Sequence, residues 1–302
     1  MEKTSDCLAV GLSPAIQRTL IFNEFREGEV NRSERYYTDA SGKCINVCRV
    51  LTQGGMDAFC LTIAGRENRE EFESLCRGDS LEFSTVETSG RVRICTTIVD
   101  LKTQNCTELV VNEPEAVNSR EEQAFSRAFE ERLKKGYRAV IISGSKFEGF
   151  SHKIIPYMVK KAKEQPCLVL ADYRGEDLKN SFISDTIRPD IIKINKEEFF
   201  QTFPAYEDLE SGIIEVSSQF NCAFIISRGS ESTIGADKGK IFHVDSKIIQ
   251  AVNPIGCGDA MTAGITQGLL EGLPLKEAVE KGRDYATRNA LSIHPGWIRA
   301  EK

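Results

Sequence analysis

The stretch VNPIGCGDAMTAGI (252–265) places a single acid, Asp259, directly after two glycines, Gly256 and Gly258. A strand-like run, IIQAV (248–252), precedes the turn, and a helix-like run of small and apolar residues follows it. Unpaired amides and the positive end of the helix dipole meet at such a junction, and glycines let an anion approach the backbone closely. An isolated Asp there also commonly caps a helix. The motif therefore predicts either a helix cap or an anion site beside a carboxylate that could accept a proton.

A second stretch, DASGKCINVCRVLTQGG (39–55), has a similar construction, because a small-residue turn again opens a helix. Lys43 and Asn46 stand three residues apart in it, so they face the same side of that helix. The apolar residues that can pack inward are Ile45, Val47, Val50 and Leu51. The spacing GxxxxGK[ST] is absent, which excludes a Walker A loop. Taken alone, Lys43 could equally be a solvated surface lysine.

Two anion-binding turns, of which only one carries a carboxylate, suit phosphoryl transfer. A nucleoside triphosphate would lie at one turn and its acceptor substrate at the other. This reaction needs positioning and charge neutralisation more than covalent chemistry, together with a group that takes the proton of the acceptor hydroxyl. Asp259 is the well-placed candidate for that base.

Composition and charge narrow the class of protein. The 302 residues are enough to bury a sizeable core, and 40% of them are hydrophobic and 28% charged, as in ordinary globular proteins. Subtracting 45 acids from 39 bases gives a net charge of −6, which argues against general binding to nucleic acid or to a membrane surface. We therefore expect small-molecule partners.

The ten cysteines are scattered and form no CxxC pair. Cys44 and Cys48 stand one helical turn apart, but no second pair or histidine cluster completes a metal site, so we expect thiols buried in the core. The first residues, MEKTSDCLAVGLSP, are too short and polar for a secretory signal, and no apolar run reaches transmembrane length. We expect a cytoplasmic protein with reduced thiols.

Short apolar runs alternate with amphipathic stretches along the chain. The runs that read as buried strands are 7–12, 58–65, 139–145, 167–173, 191–195 and 223–229. Their alternation with helical patterns predicts an open, mostly parallel sheet with helices on both faces. Two regions, 18–38 and 91–111, alternate with a period of two instead and predict a small antiparallel sheet outside the main one. One domain with such a lid over the strand ends is the organisation we expect.

At the two glycine-bearing motifs the sequence resembles the ribokinase-like (PfkB) family of carbohydrate kinases. NPIGCGDAMTAGI is similar to the family's C-terminal signature and DASGKCINVCRVLTQGG to its N-terminal one, and the resemblance covers about residues 7–295. Val30, Asn31 and Arg32 ahead of the second motif are most similar to the hexose-phosphate branch, which holds 1-phosphofructokinase and tagatose-6-phosphate kinase. The resemblance implies an α/β fold of three layers, α/β/α, in a single domain over 1–302, with a lid formed by about 17–38 and 91–111.

The resemblance also implies a role for each matching residue. Asp259 would be the general base, and the backbone amides of Gly256, Cys257 and Gly258 would form the anion hole for the transferring phosphoryl group. The residues implied to bind ATP are Lys193, Asn195, Ser227, Gly229 and Asn289, and Glu198 would hold Mg²⁺ through water. The residues implied to bind the sugar are Gln17, Gly42, Lys43, Asn46, Arg93 and Ser145. Within these sets, Asn289 would line the adenine pocket and Arg93 would bind the substrate's own phosphate.

Departures from the family pattern fall mostly in the sugar half. Gln17 stands where the family usually has an acid that grips sugar hydroxyls, and an amide recognises hydroxyls differently because it carries no charge. Ser41 and Cys44 replace two glycines of the N-terminal motif. In the nucleotide half, Ile194 and Arg228 replace a proline and an apolar residue. We therefore expect phosphoryl transfer and leave the acceptor open.

Three functions remain to be compared at this point. An ATP- and Mg²⁺-dependent kinase of a phosphorylated ketohexose is favoured, with fructose 1-phosphate as the first acceptor and tagatose 6-phosphate as the second. A sugar-phosphate-binding regulatory protein with weakened catalysis is the alternative that Gln17 and Cys44 suggest. A nicotinamide dehydrogenase is disfavoured, because no GxGxxG follows the first strand. Apolar residues on the outer face of the lid could also form a homodimer; the candidates are Leu20, Phe22, Ile94 and Thr96.

Overall fold

The computed structural model describes residues 5–33, 35–111 and 116–299, which form thirteen strands and nine helices. The strands are β1 (Ser5–Leu12), β2 (Ala15–Phe22), β3 (Arg35–Ser41), β4 (Ala58–Gly65), β5 (Glu82–Thr88), β6 (Arg93–Asp100), β7 (Asn105–Val110), β8 (Tyr137–Lys146), β9 (Leu168–Asp172), β10 (Ile191–Asn195), β11 (Ala223–Ser227), β12 (Thr233–Asp237) and β13 (Lys240–Val244). The helices are α1 (Lys43–Gln53), α2 (Arg69–Gly78), α3 (Ser119–Leu133), α4 (Ile154–Lys163), α5 (Gly175–Asn180), α6 (Lys196–Thr202), α7 (Leu209–Gln219), α8 (Cys257–Leu270) and α9 (Leu275–Ala290).

The main sheet has nine strands in the order β13-β12-β11-β10-β9-β8-β1-β4-β5. Its strands are parallel except β12 and β13, which add to one edge as an antiparallel pair. All six apolar runs that read as buried strands form strands of this sheet. The predicted strand at 248–252 is wrong: this segment forms no strand, and Ile248 is 102% exposed. In the described part of the chain this run pairs with no strand, and its last residue, Val252, donates its amide to the Ala290 carbonyl oxygen at the end of α9.

Helices cover both faces of the main sheet, because alternate residues of each strand point to opposite sides. In β1, Leu8 and Val10 join a core cluster with α3 to α7, whereas Cys7 and Ala9 join a second cluster with α1, α2, α8 and α9. This arrangement confirms the predicted three-layer α/β/α fold with a mostly parallel sheet.

A separate sheet of four strands has the order β3-β2-β6-β7, and it is built from the two regions that were predicted to alternate. The prediction that this sheet is antiparallel is wrong for its central pair: β2 and β6 come from separate segments and pair in parallel, whereas β3 and β7 add to them as antiparallel strands. Ile21 and Val99 on one face pack against Ile293, so this face of the small sheet lies on the body of the protein. Tyr36 and Leu109 on the opposite face are 68% and 50% exposed. Of the apolar residues predicted for this outer face, Phe22 lies on it by the strand register but is not exposed, because it is buried with its ring 5.5 Å from that of Phe25.

The cysteines near the second motif lie in the core. Cys44, Cys48 and Cys60 are buried, and burial raises the pKa of Cys48 to about 12, which keeps its thiol neutral. In the described part of the chain, no helix is both long enough and apolar enough to cross a bilayer.

Candidate active site

The carboxyl ends of the central parallel strands carry polar residues side by side. Ser143, three residues before the end of β8, pairs with Asp172 at the end of β9, and Asn195 pairs with Ser227 at the ends of β10 and β11. Helices α1 and α8 bring the two glycine-bearing motifs to this edge, since Lys43 and Thr262 both bond to Asp172. Open α/β sheets bind ligands at this edge.

Helix α8 begins at a turn that only glycine can form. Gly256 has a φ of 84°, and a methyl group on it would lie 2.5 Å from the nitrogen of Gly296. The Cys257 amide donates to the carbonyl oxygen of Pro254 at 3.2 Å, which closes the turn. The Cys257 amide could therefore donate to a phosphate only if it breaks or shares its hydrogen bond to Pro254. Burial raises the pKa of its thiol to about 11, so the side chain is no nucleophile near neutral pH.

A lysine lies against the start of α8. A methyl group on Gly258 would be 2.8 Å from Lys193 Nζ, so the absent side chain of Gly258 makes room for this buried ammonium. A cation at a helix N-terminus is unfavourable, because the dipole end there is also positive. The ammonium and the amides together create a strongly positive spot, which an anion such as a phosphate would neutralise.

Asp172 at the end of β9 compensates part of this charge. Its buried carboxylate accepts from Lys43 Nζ at 2.8 Å and from Thr262 Oγ1 at 3.0 Å, and Lys193 Nζ lies 3.6 Å away. Burial alone would raise the pKa of Asp172, but the two lysines outweigh it and hold that pKa below its ordinary value. Asp172 is not among the residues predicted from the sequence, although it is an acid at the end of a buried apolar run, CLVLADY.

Asp259 lies in the first turn of α8, 6% exposed, and accepts a hydrogen bond from Asn46 Nδ2 at 2.7 Å. Burial and the nearby carboxylate of Asp172 raise the pKa of Asp259 to about 6, although Lys43, Lys193 and the Asn46 amide oppose the shift. Two neighbouring carboxylates thus have pKa values that move apart, a pattern typical of sites in which one acid exchanges a proton and the other stays charged.

Lys43 opens α1 and joins the carboxylates. Besides its bond to Asp172, its Nζ lies 3.6 Å from Glu198 Oε1. Burial lowers the pKa of Lys43, but the carboxylates of Asp172, Glu198 and Asp259 outweigh this and raise the pKa above its ordinary value. Gly42 precedes it with a φ of 105°, where a methyl group would lie 2.9 Å from Pro14 Cα. The half-buried ammonium is therefore a permanent positive charge at the mouth of the site.

Asn195, implied to bind ATP, and Glu198, implied to hold Mg²⁺, form a capping box at the start of α6 instead of projecting freely. Asn195 Oδ1 accepts from the Glu198 amide at 2.8 Å, and Glu198 Oε2 accepts from the Asn195 amide at 3.0 Å. In the described residues there is no group of three His, Cys, Asp or Glu side chains that could hold a metal ion. The remaining lone pairs of Glu198 fit one water of a Mg²⁺ ion that the phosphates carry, which is the usual mode for this cation.

Asn289 lies deeper than the resemblance implied. It is fully buried, and its side chain donates to the Ile255 carbonyl oxygen at 2.8 Å and accepts from the Trp297 amide at 3.1 Å. These bonds tie α9 to the loop before α8. Gly229 lies in an open turn with a φ of 63°, one residue beyond Arg228, and Ser227 ends β11 beside Asn195. The nucleotide roles of these residues stay predictions.

On the sugar side, Gln17 is buried and donates to Thr97 Oγ1 at 2.8 Å. Asp39 lies directly opposite Gln17 on β3, so both side chains share the inner face of the small sheet. One carboxylate oxygen of Asp39 is 2.9 Å from His294 Nδ1, and the other is buried with no hydrogen-bond partner in the described residues. Asp39 was not among the residues predicted to bind the sugar, although it is the first residue of the second glycine-bearing stretch, because nothing in that stretch indicates which strand it would face.

The other residues predicted for the sugar lie around this face. Arg93 is paired with Ala15 across β6 and β2, and its buried Nε has no hydrogen-bond partner among the residues described. Ser145 is exposed beside Gly144, which packs on the Lys43 side chain. Cys44, one of the departures from the family pattern, points away from the cleft: its sulfur packs on Gly11, where a methyl group would lie 2.5 Å from it.

Comparisons with known proteins concern the family and the fold of the chain. A model of the pfkB family of carbohydrate kinases matches residues 5–292. A tagatose-6-phosphate kinase from Staphylococcus epidermidis is 28% identical over 300 residues, which cover 98% of this chain and 95% of that protein. Phosphofructokinase-2 from Escherichia coli, in complex with potassium, has a TM-score of 0.84 at 20% identity and covers 96% of this chain and 94% of its own. A possible 1-phosphofructokinase from Thermotoga maritima has a TM-score of 0.83 at 19% identity, with the same coverage of 96% and 94%. The two solved structures share the fold.

Proposed function

Because the chain belongs to the pfkB family of carbohydrate kinases, we propose that it transfers the γ-phosphoryl group of ATP to a hydroxyl of a phosphorylated ketohexose. Membership of the family makes the protein a sugar kinase, as the two motifs predicted. The observation that supports the residue roles is the meeting of Asp259, Asn46 and two lysines at the start of α8. A pure binding protein would need no proton acceptor at such a place.

In the proposed mechanism, Asp259 takes the proton of the acceptor hydroxyl as that oxygen attacks. A base of this kind typically accelerates a reaction by about 10²–10⁴-fold. The free amides at the start of α8, with Lys193 beside them, stabilise the charge on the transferring group, and each donor of this type elsewhere contributes about 3–4 kcal/mol. Lys43 stays charged through Asp172 and neutralises the phosphates from the other side.

Mg²⁺ would reach the site with the nucleotide and neutralise charge on its phosphates, with Glu198 as the residue that would hold it through water. Asn195 is the last residue of β10, directly before α6, and Lys193 lies two residues earlier in the same strand. ATP is the phosphoryl donor expected for a kinase of this family, and the groups proposed around it are Ser227, Gly229 and Asn289.

For the acceptor, the name of the curated relatives favours tagatose 6-phosphate. Fructose 1-phosphate, placed first by the sequence analysis, is the second candidate, because the residues around Val30 to Arg32 resemble the branch that holds both activities. Either compound presents a phosphate and a row of hydroxyls. Arg93 is proposed to bind the phosphate through charge-assisted hydrogen bonds, since its buried Nε lies without a partner in the described part of the chain.

We also assign Asp39 a contact with the sugar hydroxyls. Gln17 removes the charge that the family's acid would supply. The oxygen of Asp39 that has no hydrogen-bond partner among the described residues restores a carboxylate on the neighbouring strand of the same face. A buried carboxylate oxygen without a donor is costly, and a ligand hydroxyl would satisfy it.

A substrate panel tests the proposal. Purified protein with ATP and Mg²⁺ is assayed for ADP release against pentoses, hexoses, nucleosides and their phosphates, and we expect turnover with one or both ketohexose phosphates. If no sugar or sugar phosphate releases ADP although one binds measurably, the regulatory alternative replaces the kinase. Turnover on nucleosides or free pentoses alone would reject the proposed acceptor class.

The outer face of the small sheet is proposed to pair with a second copy of the chain. Tyr36, Leu20, Ile98 and Leu109 share this face by the strand register, and the first and last are well exposed. Exposed apolar residues clustered on one sheet face commonly mark an interface.

A further inference from the structure

Arg49 is a charged residue that the proposed mechanism does not use, yet it is 2% exposed in the middle of α1. A fully buried arginine is rare unless its donors are paired. It stands three residues after Asn46, on the same side of the helix. Arg49 lies between Asn46 of the second glycine-bearing stretch and Pro295, in the segment after α9.

All five N–H donors of Arg49 have an acceptor. Its Nε and one terminal nitrogen donate to Asp79 Oδ2 at 2.9 and 2.7 Å, and that same terminal nitrogen also donates to the Ala40 carbonyl oxygen. The other terminal nitrogen donates to Asn46 Oδ1 at 3.0 Å and to the Pro295 carbonyl oxygen at 3.1 Å. A guanidinium has five donors and no acceptor, so this set is complete.

The contact with Asn46 decides which way that amide faces. Because a guanidinium only donates, the amide must turn its oxygen towards Arg49, and Ser41 Oγ adds a weaker contact to the same oxygen at 3.4 Å. The amide nitrogen is then directed at Asp259, which it reaches at 2.7 Å. The flipped amide would place its oxygen against the Asp259 carboxylate, an arrangement of two acceptors that repel each other.

The backbone contacts of Arg49 fix the frame around this amide. Ala40 lies two residues before Gly42, the turn that opens α1. Pro295 precedes Gly296, on which both Asn46 and Gly256 pack so closely that a methyl group on Gly296 would lie 2.8 Å from Asn46 Cα. One side chain therefore joins the beginning of α1 to the segment that supports the beginning of α8.

We propose that Arg49 is a positioning residue for the general base, which fixes the Asn46 amide so that it donates to Asp259 and fixes the spacing of the two helix starts. This inference rests on the proposed function of Asp259. Arg49 itself touches neither the base nor any group proposed to contact the substrate, apart from Asn46.

The charges that face Asp259 come from several elements. Lys43 on α1, Asp172 on β9 and Lys193 on β10 surround it, and the Cys257 thiol on its own helix is neutral. None of these groups bonds to Arg49 in the hydrogen bonds of the described residues. A change at Arg49 therefore reaches Asp259 through Asn46, whose donated hydrogen bond lowers the pKa of that carboxyl.

The test is the pH profile of kcat/KM for Arg49→Lys, since a lysine can keep the ion pair with Asp79 but cannot also orient the amide. We expect kcat to fall about tenfold to a hundredfold. The acid limb of the profile, the pH below which kcat/KM falls, should move up by about one pH unit, because the ionised base loses a fixed hydrogen-bond donor. A double variant, Arg49→Met with Asp79→Leu, removes the buried ion pair without leaving an unpaired charge, and such replacements commonly keep the fold. It should show the same shift of the limb.

Asp79→Asn is the matched control, because it weakens the ion pair and leaves the contact between Arg49 and Asn46 in place. We expect it to lower the melting temperature and to leave the limb where it is. In an Asn46→Ala background, Arg49→Lys should move the limb no further, since the path through the amide is already broken. If Arg49→Lys and the double variant keep the wild-type limb while Asp259→Asn still abolishes turnover, the positioning role is wrong and the base assignment stands. If Asp259→Asn keeps turnover, the proposed function fails first.

Discussion

Asp172 and Asp259 show how one pair of lysines acts differently on two buried acids. Asp172 accepts directly from Lys43 and stays charged, whereas Asp259 is held by the neutral Asn46 amide and feels the charge of Asp172. The first acid anchors a cation and the second can gain or lose a proton near neutral pH. The difference between the two pKa values depends on which donor lies within hydrogen-bond distance of each carboxylate, and no sequence pattern specifies such distances.

The pH dependence of kcat/KM follows from the raised pKa of Asp259. A general base works only when deprotonated, so activity should rise with pH through about 6 and be lost below it, because the pKa of Asp259 is about 6 in the free protein. The measurement is kcat/KM for the sugar phosphate between pH 5 and 8. If kcat/KM instead falls only near pH 4, the ordinary pKa of a carboxyl, burial does not raise the pKa of the base as argued.

Asp39 offers a second test at the scale of single residues. Asp39→Asn keeps the shape but removes the charge that is proposed to receive sugar hydroxyls, so KM for the sugar phosphate should rise about tenfold to a hundredfold while KM for ATP stays unchanged. The double variant Asp39→Asn with Gln17→Asp returns an acid to the same face and should recover part of the loss. Equal increases in both KM values would indicate a disturbed sheet instead of a lost contact.

At the scale of elements, the continuous apolar runs predicted the buried strands well, because a parallel strand covered on both faces needs apolar residues throughout. Three strands of the main sheet were not predicted. β5 and β13 lie at the two sheet edges and are only partly buried, so they lack a continuous apolar run. β12 is buried, but its five residues, TIGAD, contain a glycine and too few apolar residues to read as a strand. The two helix starts were predicted from glycines and small residues. The hydrogen-bond partners of the residues at these helix starts were not predicted. Lys43 bonds a residue 129 positions away and Arg49 bonds one 246 positions away, and motifs and periodicity in one sequence do not indicate contacts at such separations.

The two glycines at the start of α8 should respond differently to a methyl group. Gly256→Ala combines a positive φ with a contact of 2.5 Å to the backbone of Gly296, so it should lower both stability and activity. Gly258→Ala meets only the flexible end of Lys193, at 2.8 Å, so the lysine can move and activity should fall with little loss of stability.

Gly78→Ala is the control for both glycine variants, because a methyl group there meets nothing within 4 Å and the residue ends α2. It should be neutral or slightly stabilising, by about 0.5–1 kcal/mol at most. Thermal melting and kcat, measured together for the three variants, check the pattern. A Gly258→Ala protein with normal kcat would remove the reason for placing the phosphoryl group at this turn.

At the scale of the whole molecule, the two faces of the small sheet differ. One face packs on the body of the protein and carries residues proposed to bind the sugar, and the opposite face is exposed. Its inner face carries Gln17 and Asp39, and its outer face carries Tyr36 and Leu109. The sequence could predict such a sheet from its period-two alternation, but not which of its residues stay exposed, because Phe22 is covered by a loop residue, Phe25.

If the outer face pairs with a second copy, the protein sediments as a dimer at micromolar concentration. Leu109→Asp should then convert it to a monomer, because the new carboxylate would be buried without a partner in the interface. Thr107→Asp places the same charge on the same strand and face, but at a position that is not apolar. It therefore tests whether the effect of Leu109→Asp depends on replacing an apolar residue. A wild-type protein that sediments as a monomer at all concentrations would contradict the pairing.

If Asp259 is the base of a sugar kinase, loss of its carboxylate must stop turnover without preventing nucleotide binding. ADP release with ATP, Mg²⁺ and the best ketohexose phosphate is measured at pH 8 for the wild type and for Asp259→Asn, alongside nucleotide binding by calorimetry. The account predicts that Asp259→Asn lowers turnover by at least about 10²–10⁴-fold while nucleotide affinity changes little. Turnover close to that of the wild type would contradict it.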